Sequence, residues 1–302
     1  MRAVIAAAVT VLVALVAVLA VALGSRAQPV PTRVESSYTI AEPVCSVTDK
    51  RLAGISGMAV LDGDLWVVDD QTSSLYRLDG GCRVSEVVDL TPRLEDRKVT
   101  LRDVEDLVAG VDGWLWLADT GGNRVDGRSR VQVVGYNPAT DRVKSLRLDY
   151  PSGAHDVEAM LVGLDGRAVL VTKDEEGPAT VFSTPDPLLD GTTQALVREG
   201  TVALGGDDAT TPERLVTGGA VSGSGVHVAL RTYAAAWEYD VPDGDIAQAL
   251  VTATPREVPL PKSRQGEALT YDAAATAFLA TTEGLPAAVD RVDIVRARVE
   301  VP

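Results

Sequence analysis

The chain has 302 residues, of which 46% are apolar and 24% charged, and its formal net charge is −15. This composition excludes a disordered chain, and the acidic balance excludes nucleic acid as a partner, because a phosphate backbone calls for a basic surface. Two cysteines and two histidines exclude a disulfide-dense scaffold and metal sites rich in either residue.

The N-terminal segment predicts export from the cytoplasm. Ala3 to Leu23 is apolar apart from Thr10, and as a helix it would span about 30 Å, enough to cross a bilayer. Ser25-Arg26-Ala27 places small residues where a signal peptidase would cut after Ala27. Residues 1–27 are therefore either a cleaved signal peptide or a membrane anchor through residues 3–23. Both alternatives predict an extracytoplasmic protein, secreted or anchored to the membrane.

A short linker, residues 28–33, separates this segment from the folded part of the chain. Pro29 and Pro31 exclude a helix there and favour an extended linker. The predicted domain organisation is thus a signal peptide or anchor, a linker, and one folded domain over 34–302.

The folded part is a repeat of short apolar segments. Alternating apolar residues, separated by Asp-Gly, Gly-Gly and Pro turns, predict β-strands. A short strand, a turn and a second apolar strand recur about every 50 residues. The five copies cover 55–70, 103–120, 156–174, 216–232 and 265–283. Further apolar strands follow most copies, and four antiparallel strands per repeat are typical of a β-propeller blade.

The repeat therefore predicts an all-β fold, a β-propeller of four-stranded antiparallel blades that follows the N-terminal apolar helix. Its marker position falls at Gly57, Glu105, Glu158, Gly219 and Glu267. Five blades are favoured, and a sixth, degenerate blade within 184–216 is the alternative. Because the last copy is short, we expect Val34–Ile40 to supply its outer strand and close the ring.

Several segments carry a family resemblance. These are DVEDL…DGWLWLADTGGNR, HDVEAMLVGLDG…LVTKDEEGPA, VTGGAVS…VALRTYAAAWEYDV and QGEALTYD…TTEG. The chain resembles exported actinobacterial β-propeller proteins related to the phytase-like ("esterase-like activity of phytase") group, over residues 45–288. The resemblance implies a propeller and raises the prospect of ester or phosphoester hydrolysis. It assigns no catalytic residue.

Three glutamates share the marker position of the repeat: Glu105, Glu158 and Glu267. Inner strands line the channel of a propeller, so these side chains would ring one end of it. Strict alternation along the strand would place Glu105 and Leu107 on one face and Asp106 on the other. Converging carboxylates suit calcium, which makes calcium a candidate cofactor and the three glutamates its candidate ligands. The alternative is that each glutamate accepts backbone N–H bonds from the next blade and only fixes the packing of the blades.

Further polar candidates follow the second strand of each repeat. Asp119, Lys173 and Arg231 hold this position and are predicted to line the funnel with the glutamates. Lys173 and Arg231 are the candidate cations of the channel, or simply neutralise Glu158 and its neighbours. The glycine-rich turn 120–124 offers backbone N–H groups to an anion, or serves only as a turn.

A catalytic nucleophile is not recognisable in the sequence. Ser222-Gly223-Ser224-Gly225 only imitates the G-x-S-x-G motif. His155, in a loop beside Asp156, could serve as a base, although a loop histidine more often faces solvent. The catalytic residues therefore stay unassigned, and whether the protein is an enzyme stays open.

The two cysteines, Cys45 and Cys82, flank the first repeat. An exported chain enters an oxidising compartment, where two cysteines favour a disulfide bond; the alternative is two buried free thiols. The bond would tie the N-terminal segment to the fourth strand of the first blade.

Together these features predict an exported, monomeric propeller that binds a small molecule or an envelope protein at its central funnel. The alternative is a metal-dependent ester or phosphoester hydrolase that uses the channel carboxylates, since a bound metal would polarise the ester oxygen or activate water.

Overall fold

The computed structural model describes residues 32–122, 128–206 and 208–300, so the apolar segment and residues 28–31 of the predicted linker lie outside the described residues. The last two residues of the predicted linker, 32 and 33, begin a strand. The chain forms two compact units. One, Ser36–Val295, is the propeller. The other comprises 1–35 and 296–302, and its described part consists of the ends of two strands.

The propeller has five blades, each built on four antiparallel strands, and the sheets of blades 2 and 5 each carry one further strand. Blade 1 contains β3 (Ile55–Leu61), β4 (Asp64–Asp69), β5 (Ser74–Leu78) and β6 (Val84–Asp89). Blade 2 contains β7 (Val104–Ala109), β8 (Leu115–Asp119), β9 (Arg130–Asn137) and β10 (Arg142–Asp149). Blade 3 contains β11 (Val157–Val162), β12 (Ala168–Thr172), β13 (Ala179–Ser183) and β15 (Val197–Val202). Blade 4 contains β16 (Val216–Val221), β17 (His227–Thr232), β18 (Ala235–Asp240) and β19 (Arg256–Pro259).

Blade 5 combines both ends of the folded chain. Its strands are β20 (Gly266–Tyr271), β21 (Ala277–Thr282), β22 (Ala287–Glu300) and β2 (Glu42–Val47). The strand β2 is antiparallel to β22, with Val47 opposite Ala287. Strand β1 (Thr32–Tyr38) also lies beside β22 in this sheet. Closure of the ring by the N-terminal chain is therefore confirmed. The predicted Val34–Ile40 contributes through β1, and β2 is a second N-terminal strand that pairs with residues 287–291 of β22.

The predicted alternative of a sixth blade within 184–216 is wrong. Residues of this stretch extend two existing blades. The short strand β14 (Thr193–Ala195) adds to blade 2 in parallel with β10, and β15 is the outer strand of blade 3. The inner strands of the five blades contact one another in the order β3, β7, β11, β16, β20 and back to β3.

Local turn chemistry sets the hairpins within the blades. In blade 1, Asp62 and Gly63 both have positive φ (53° and 87°), which the tight turn between paired strands requires and which Asp-Gly readily supplies. The inner and second strands of each blade are almost entirely buried. They therefore show continuous apolar runs, where an exposed sheet would alternate.

The core lies between the blades and not at the channel. Five apolar clusters separate successive sheets, one for each pair of neighbouring blades. Between blades 2 and 3, for example, Trp116 and Leu148 pack against Leu170 and Phe182. Burial of these large side chains is the dominant stabilising contribution to such a fold.

Short helices occupy the connections. They are α1 (Thr91–Glu95), α2 (Thr211–Arg214) and α3 (Ile246–Thr252), with 3-10 turns at Lys50–Leu52 and Val111–Gly113. Asp245 caps α3 by accepting a hydrogen bond from the Gln248 N–H. In the part of the chain that the structure describes, no helix is long and apolar enough to cross a membrane.

A disulfide bond joins Cys45 to Cys82, as the sequence predicts, with 5.7 Å between the Cα atoms. It connects β2 of blade 5 to the turn between β5 and β6 of blade 1. The bond therefore lies at the seam where the ring closes.

Candidate functional site

A β-bulge interrupts every inner strand at its second residue, and it defines the equivalent position in each blade. The bulge residues are Ser56, Glu105, Glu158, Thr217 and Glu267, the last with Ala268. The predicted marker residues Gly57 and Gly219 therefore lie one and two positions too late. A bulge adds a residue that a strict period of two does not count, so the side chains after it change faces.

Hydroxyl groups at this position link neighbouring blades. Ser56 Oγ donates to the Val104 carbonyl of blade 2 at 2.7 Å. Thr217 Oγ1 donates to the Gly266 carbonyl of blade 5 at 2.6 Å. Blade 2 has a glutamate at its bulge and uses Thr120 instead, whose hydroxyl donates to the Val157 carbonyl of blade 3 at 2.7 Å.

The three glutamates make no equivalent link. Glu105, Glu158 and Glu267 have exposed fractions of only 7%, 1% and 4%. Among the described residues, none of them accepts a backbone hydrogen bond from the next blade, and Glu267 Oε2 accepts no hydrogen bond at all. The structure therefore does not supply the contacts that a purely blade-packing role would need.

Lys173 lies among these carboxylates. Its Nζ is 3.1 Å from Glu158 Oε1 and 5.3 Å from the centre of the Tyr233 ring. Burial alone would lower the pKa of Lys173, but Glu158 and Glu267 outweigh it and raise that pKa above its usual value. The lysine is therefore a permanent cation in the position where an acidic ring would otherwise repel itself.

The carboxyl groups are correspondingly hard to ionise. Burial, followed by the charges of Glu158, Asp103 and Asp156, raises the pKa of Glu105 well above its usual value. Burial likewise raises the pKa of Glu158, against the opposing effect of Lys173. The pKa of Glu267 is raised to about 7, chiefly by burial and with a contribution from Glu283. One end of the channel thus holds one group, Glu267, that exchanges protons near neutral pH, beside two further carboxyls whose pKa values are raised.

The glycine-rich turn after β8 packs against these acids. A Cβ on Gly121 would lie 2.0 Å from Glu105 Oε1, so only glycine leaves room for that carboxyl. The Gly122 N–H donates to Asp156 Oδ1 at 2.6 Å. The backbone N–H of Gly122, which the sequence suggested as a donor to a bound anion, is therefore already bonded to the carboxylate of Asp156. The remainder of the predicted turn, residues 123 and 124, lies outside the described residues.

Arg231, the second predicted cation, is a link between blades 4 and 5. Its exposed fraction is 2%, and its Nη1 donates to the carbonyl oxygens of Ala268 and Thr281 at 2.5 and 2.8 Å. Burial lowers the pKa of Arg231 to about 10, against the opposing charge of Glu267. The guanidinium is too enclosed to contact a ligand directly.

Asp119 lies apart from the glutamates. Its fully buried carboxylate accepts the backbone N–H groups of Arg102 and Asp103 and pairs with Arg128 at 2.8 Å. Gln132 donates to it as well. These contacts place Asp119 at the floor of a second surface, on the side of blade 2.

Asp106 is the buried acid that sequence reasoning did not identify. It is completely buried and accepts hydrogen bonds from the N–H groups of Leu107 and, in blade 3, Met160, at 2.8 and 2.9 Å. Burial raises its pKa well above its usual value, while these bonds and one from Gly219 of blade 4 oppose the rise. The bulge at Glu105 turns Asp106 into this central position. An acid one residue after a repeat marker is the only signal that the sequence offers.

The opposite end of the channel has a different chemistry. A cavity of about 550 Å³ opens there, at the ends of the inner strands. Its wall includes Met58, Leu107, Val162 and Tyr271, and its acidic residues are confined to turns such as Asp62. The titratable groups are therefore concentrated where the inner strands begin.

The geometry does not assemble a ready metal centre. Among the described residues, no group of three or more His, Cys, Asp or Glu side chains is placed to hold a metal ion. The glutamates come from blades 2, 3 and 5. The positive charge of Lys173 acts on both Glu158 and Glu267 and opposes the rise of their pKa values.

The chain matches no protein-family model, and no curated protein sequence matches it. Its fold is similar to that of a Myxococcus xanthus glutaminyl cyclase, with a TM-score of 0.52 and 11% identity, over 89% of this chain and 100% of that one. A gluconolactonase from Xanthomonas campestris has a TM-score of 0.46 and 13% identity, over 90% and 100% of the two chains. At 11% identity, the likeness to the glutaminyl cyclase shows the fold alone.

Proposed function

We propose that the protein binds a small ligand at the carboxylate end of its channel, through a cationic or hydrogen-bond-donating group of that ligand. The observation that carries this proposal is the set of three buried glutamates, Glu105, Glu158 and Glu267, without the blade-to-blade hydrogen bonds that Ser56 and Thr217 make. Glu158 has Lys173 as an ion-pair partner, but Glu267 Oε2 accepts no hydrogen bond among the described residues. A buried oxygen in this state is costly, and a ligand that donates a hydrogen bond to it removes that cost.

The mouth of this site is formed by groups that remain partly exposed. Asp156, Lys173 and Tyr233 are half-buried, and they surround the more deeply buried glutamates. Asp103 and Asp156 add to the negative potential at Glu105. An amine or a polyol would find acceptors here, whereas an anion would meet only Lys173, whose charge Glu158 and Glu267 already oppose.

The test is a thermal-shift titration with two probes, spermidine and calcium chloride, at ionic strength matched with sodium chloride. We expect spermidine to raise the melting temperature of the native protein, because a ligand that binds only the folded state stabilises it. Glu158→Gln/Glu267→Gln should lose the shift. The matched control, Glu95→Gln/Glu257→Gln, removes the same charge from exposed positions and should retain it. Equal shifts in both double variants would refute the proposal.

The second candidate is a hydrolase of ester or phosphoester substrates, as the resemblance to the phytase-like propellers implies. The observation that favours it is Glu267, whose pKa of about 7 suits a general acid or base. In this alternative, Glu105, Glu158 and Glu267 are the residues that would hold calcium, although among the described residues they are not placed as a ready metal centre. A melting shift produced by calcium and not by spermidine, together with calcium-dependent hydrolysis of p-nitrophenyl acetate or p-nitrophenyl phosphate, would establish this alternative.

We also propose an extracytoplasmic location, secreted or held by residues 3–23. The apolar segment supports it in the sequence, and the Cys45–Cys82 bond is consistent with an oxidising compartment. An envelope protein in place of a small molecule would be a partner of the same funnel. Fractionation of cells that produce the full chain, with a protease-protection assay, tests the location.

A further inference from the structure

A basic groove lies on the side of blade 2, next to the carboxylate end of the channel, since its Arg128 Nη1 donates to the carbonyl oxygen of Gly121 at 3.5 Å. Its volume is about 360 Å³, and the cationic residues that line it are Lys98, Arg102, Arg128, Arg130 and Arg147. The other polar groups on its wall are Thr100 and Gln132, and among the described residues no acidic side chain lines it. In a chain with a net charge of −15, such a concentration of cations is an exception that the overall composition does not predict.

Three of these cations have no ion-pair partner in the part of the chain that the structure describes. Lys98, Arg102 and Arg147 are exposed, and among the described residues none of them contacts a carboxylate. Arg130 does have a partner, Asp149 on the neighbouring strand β10. The groove therefore keeps a net positive charge after the internal pairs are counted, and that charge faces solvent.

A buried carboxylate orders the residues at the floor of the groove. Asp119 is fully buried and holds Arg128 through Nη1 at 2.8 Å and Nη2 at 3.3 Å. The same carboxylate accepts the Arg102 backbone N–H at 3.1 Å and the amide of Gln132. One buried acid thus fixes a side chain or the backbone of three groove residues. The acid is on the inner side, so it orders the cations without facing a ligand.

Three separate segments meet at this groove. Lys98 and Arg102 come from the connection between α1 and β7, Arg128 and Arg130 from the start of β9, and Arg147 from β10. Gln132 and Arg147 are cross-strand partners, which places the amide beside the unpaired guanidinium. A second cavity of about 130 Å³ continues past these two residues towards Arg97 and Thr192. The groove can therefore accommodate more than one anionic group.

We propose that this groove is a binding site for a multivalent oxyanion of the phosphate class, such as an oligophosphate or a compound with several phosphate groups. Guanidinium groups match phosphate oxygens with paired N–H donors, and several of them converge here. The proposal does not depend on the function proposed for the channel, because the two sites share no residue and have opposite charge.

The experiment is calorimetric titration of the full chain with sodium tripolyphosphate at low ionic strength. We expect saturable binding that weakens as sodium chloride is added, because salt screens exposed charges. Arg102→Gln/Arg147→Gln should weaken binding at least tenfold, and Lys98→Gln should weaken it by a smaller factor. These side chains are exposed, so the melting temperature of each variant should stay close to that of the native protein.

The matched control is Arg198→Gln/Arg264→Gln, which removes the same charge from two exposed arginines outside the groove. Binding by this variant within about twofold of the native protein supports the proposal, since a general electrostatic effect would weaken both double variants alike. Equal weakening, or no saturable binding by the native protein, would overturn it. Citrate that binds as tightly as tripolyphosphate would overturn the assignment to phosphate.

Discussion

Thr217 and Glu267 occupy the same bulge in neighbouring blades, but they do different things. Thr217 donates a hydrogen bond to the next blade, whereas Glu267 leaves one carboxylate oxygen without a hydrogen bond among the described residues. Ser56 behaves like Thr217, and Glu105 and Glu158 resemble Glu267. The comparison teaches that the bulge residue links neighbouring blades by a hydrogen bond in blades 1 and 4, and does not do so in blades 2, 3 and 5.

Where a glutamate replaces the hydroxyl, other groups hold the seam. Thr120 and Asp106 bond blade 2 to blade 3. At the seam between blades 5 and 1, the Gly284 N–H donates to the Ala53 carbonyl at 2.8 Å, and the disulfide adds a covalent link. A chain that needed only a stable ring would place hydroxyls at all five bulges, since a buried carboxylate costs more than a buried hydroxyl.

The largest expected effect is at the covalent seam. Cys45→Ala/Cys82→Ala should lower the free energy of unfolding by about 4 kcal/mol, because the bond closes a long loop in the unfolded chain. Chemical denaturation of the oxidised protein and of this variant measures it. Reduction of the native protein should give the same loss as the substitution. A loss below about 1 kcal/mol would show that β2 stays in place without the bond.

The next effect concerns the bonds that replace a hydroxyl in blade 2. Asp106→Ala should cost about 3 kcal/mol, because the buried N–H groups of Leu107 and Met160 lose their acceptor. Urea unfolding measures the loss, and Asp243→Ala, an exposed acid, is the control and should change stability by less than about 0.5 kcal/mol. If the two variants were equally stable, Asp106 would not be a structural link.

Lys173→Met tests whether the lysine stabilises the fold by compensating the charges of the glutamates. Without the cation, the folded-state pKa values of Glu158 and Glu267 rise further above their unfolded values, so we expect a loss of about 2 kcal/mol at pH 8. Near pH 5 these carboxyls are protonated in the folded state, since their pKa values are raised, and the loss should be smaller. Unfolding curves at both pH values test this. The same loss at both would mean that Lys173 acts through packing alone.

The repeat itself was predictable, because hairpins with Asp-Gly turns and strands with apolar runs are local features. The meeting of Glu105, Glu158 and Glu267 at one end of the channel followed from their shared place in the repeat. The place of Asp106 could not be predicted, because strict alternation ignores the bulge that turns this side chain. Asp119 was expected in the funnel, but its contacts with Arg102 and Arg128 depend on how the segments before β7 and before β9 fold back onto the end of β8.

The basic groove was unpredictable for a related reason. Its cations come from three separate segments, and only the pairing of β9 with β10 and the path of the chain before β7 bring them together. The overall acidity of the chain points away from such a site. By contrast, the disulfide needed only the count of two cysteines and an exported chain.

The most direct test of the central claim compares Thr217→Val with Glu267→Gln by the free energy of unfolding at pH 8. Thr217→Val should destabilise the protein by about 1–2 kcal/mol at any pH, because the Gly266 carbonyl loses its buried donor. Glu267→Gln should have the opposite sign. The folded-state pKa of Glu267, about 7, lies above the unfolded value, so the native protein loses stability as pH rises from about 4.5 to 7.

The glutamine variant lacks that loss, and its advantage over the native protein should grow from near zero at pH 4.5 to on the order of 1–3 kcal/mol at pH 8. If the glutamates form a site that lowers the stability of the fold, the two substitutions should change the free energy of unfolding at pH 8 in opposite directions. Destabilisation of similar size in both, unchanged between pH 4.5 and 8, would show that the glutamates serve the ring as the hydroxyls do, and would contradict the account.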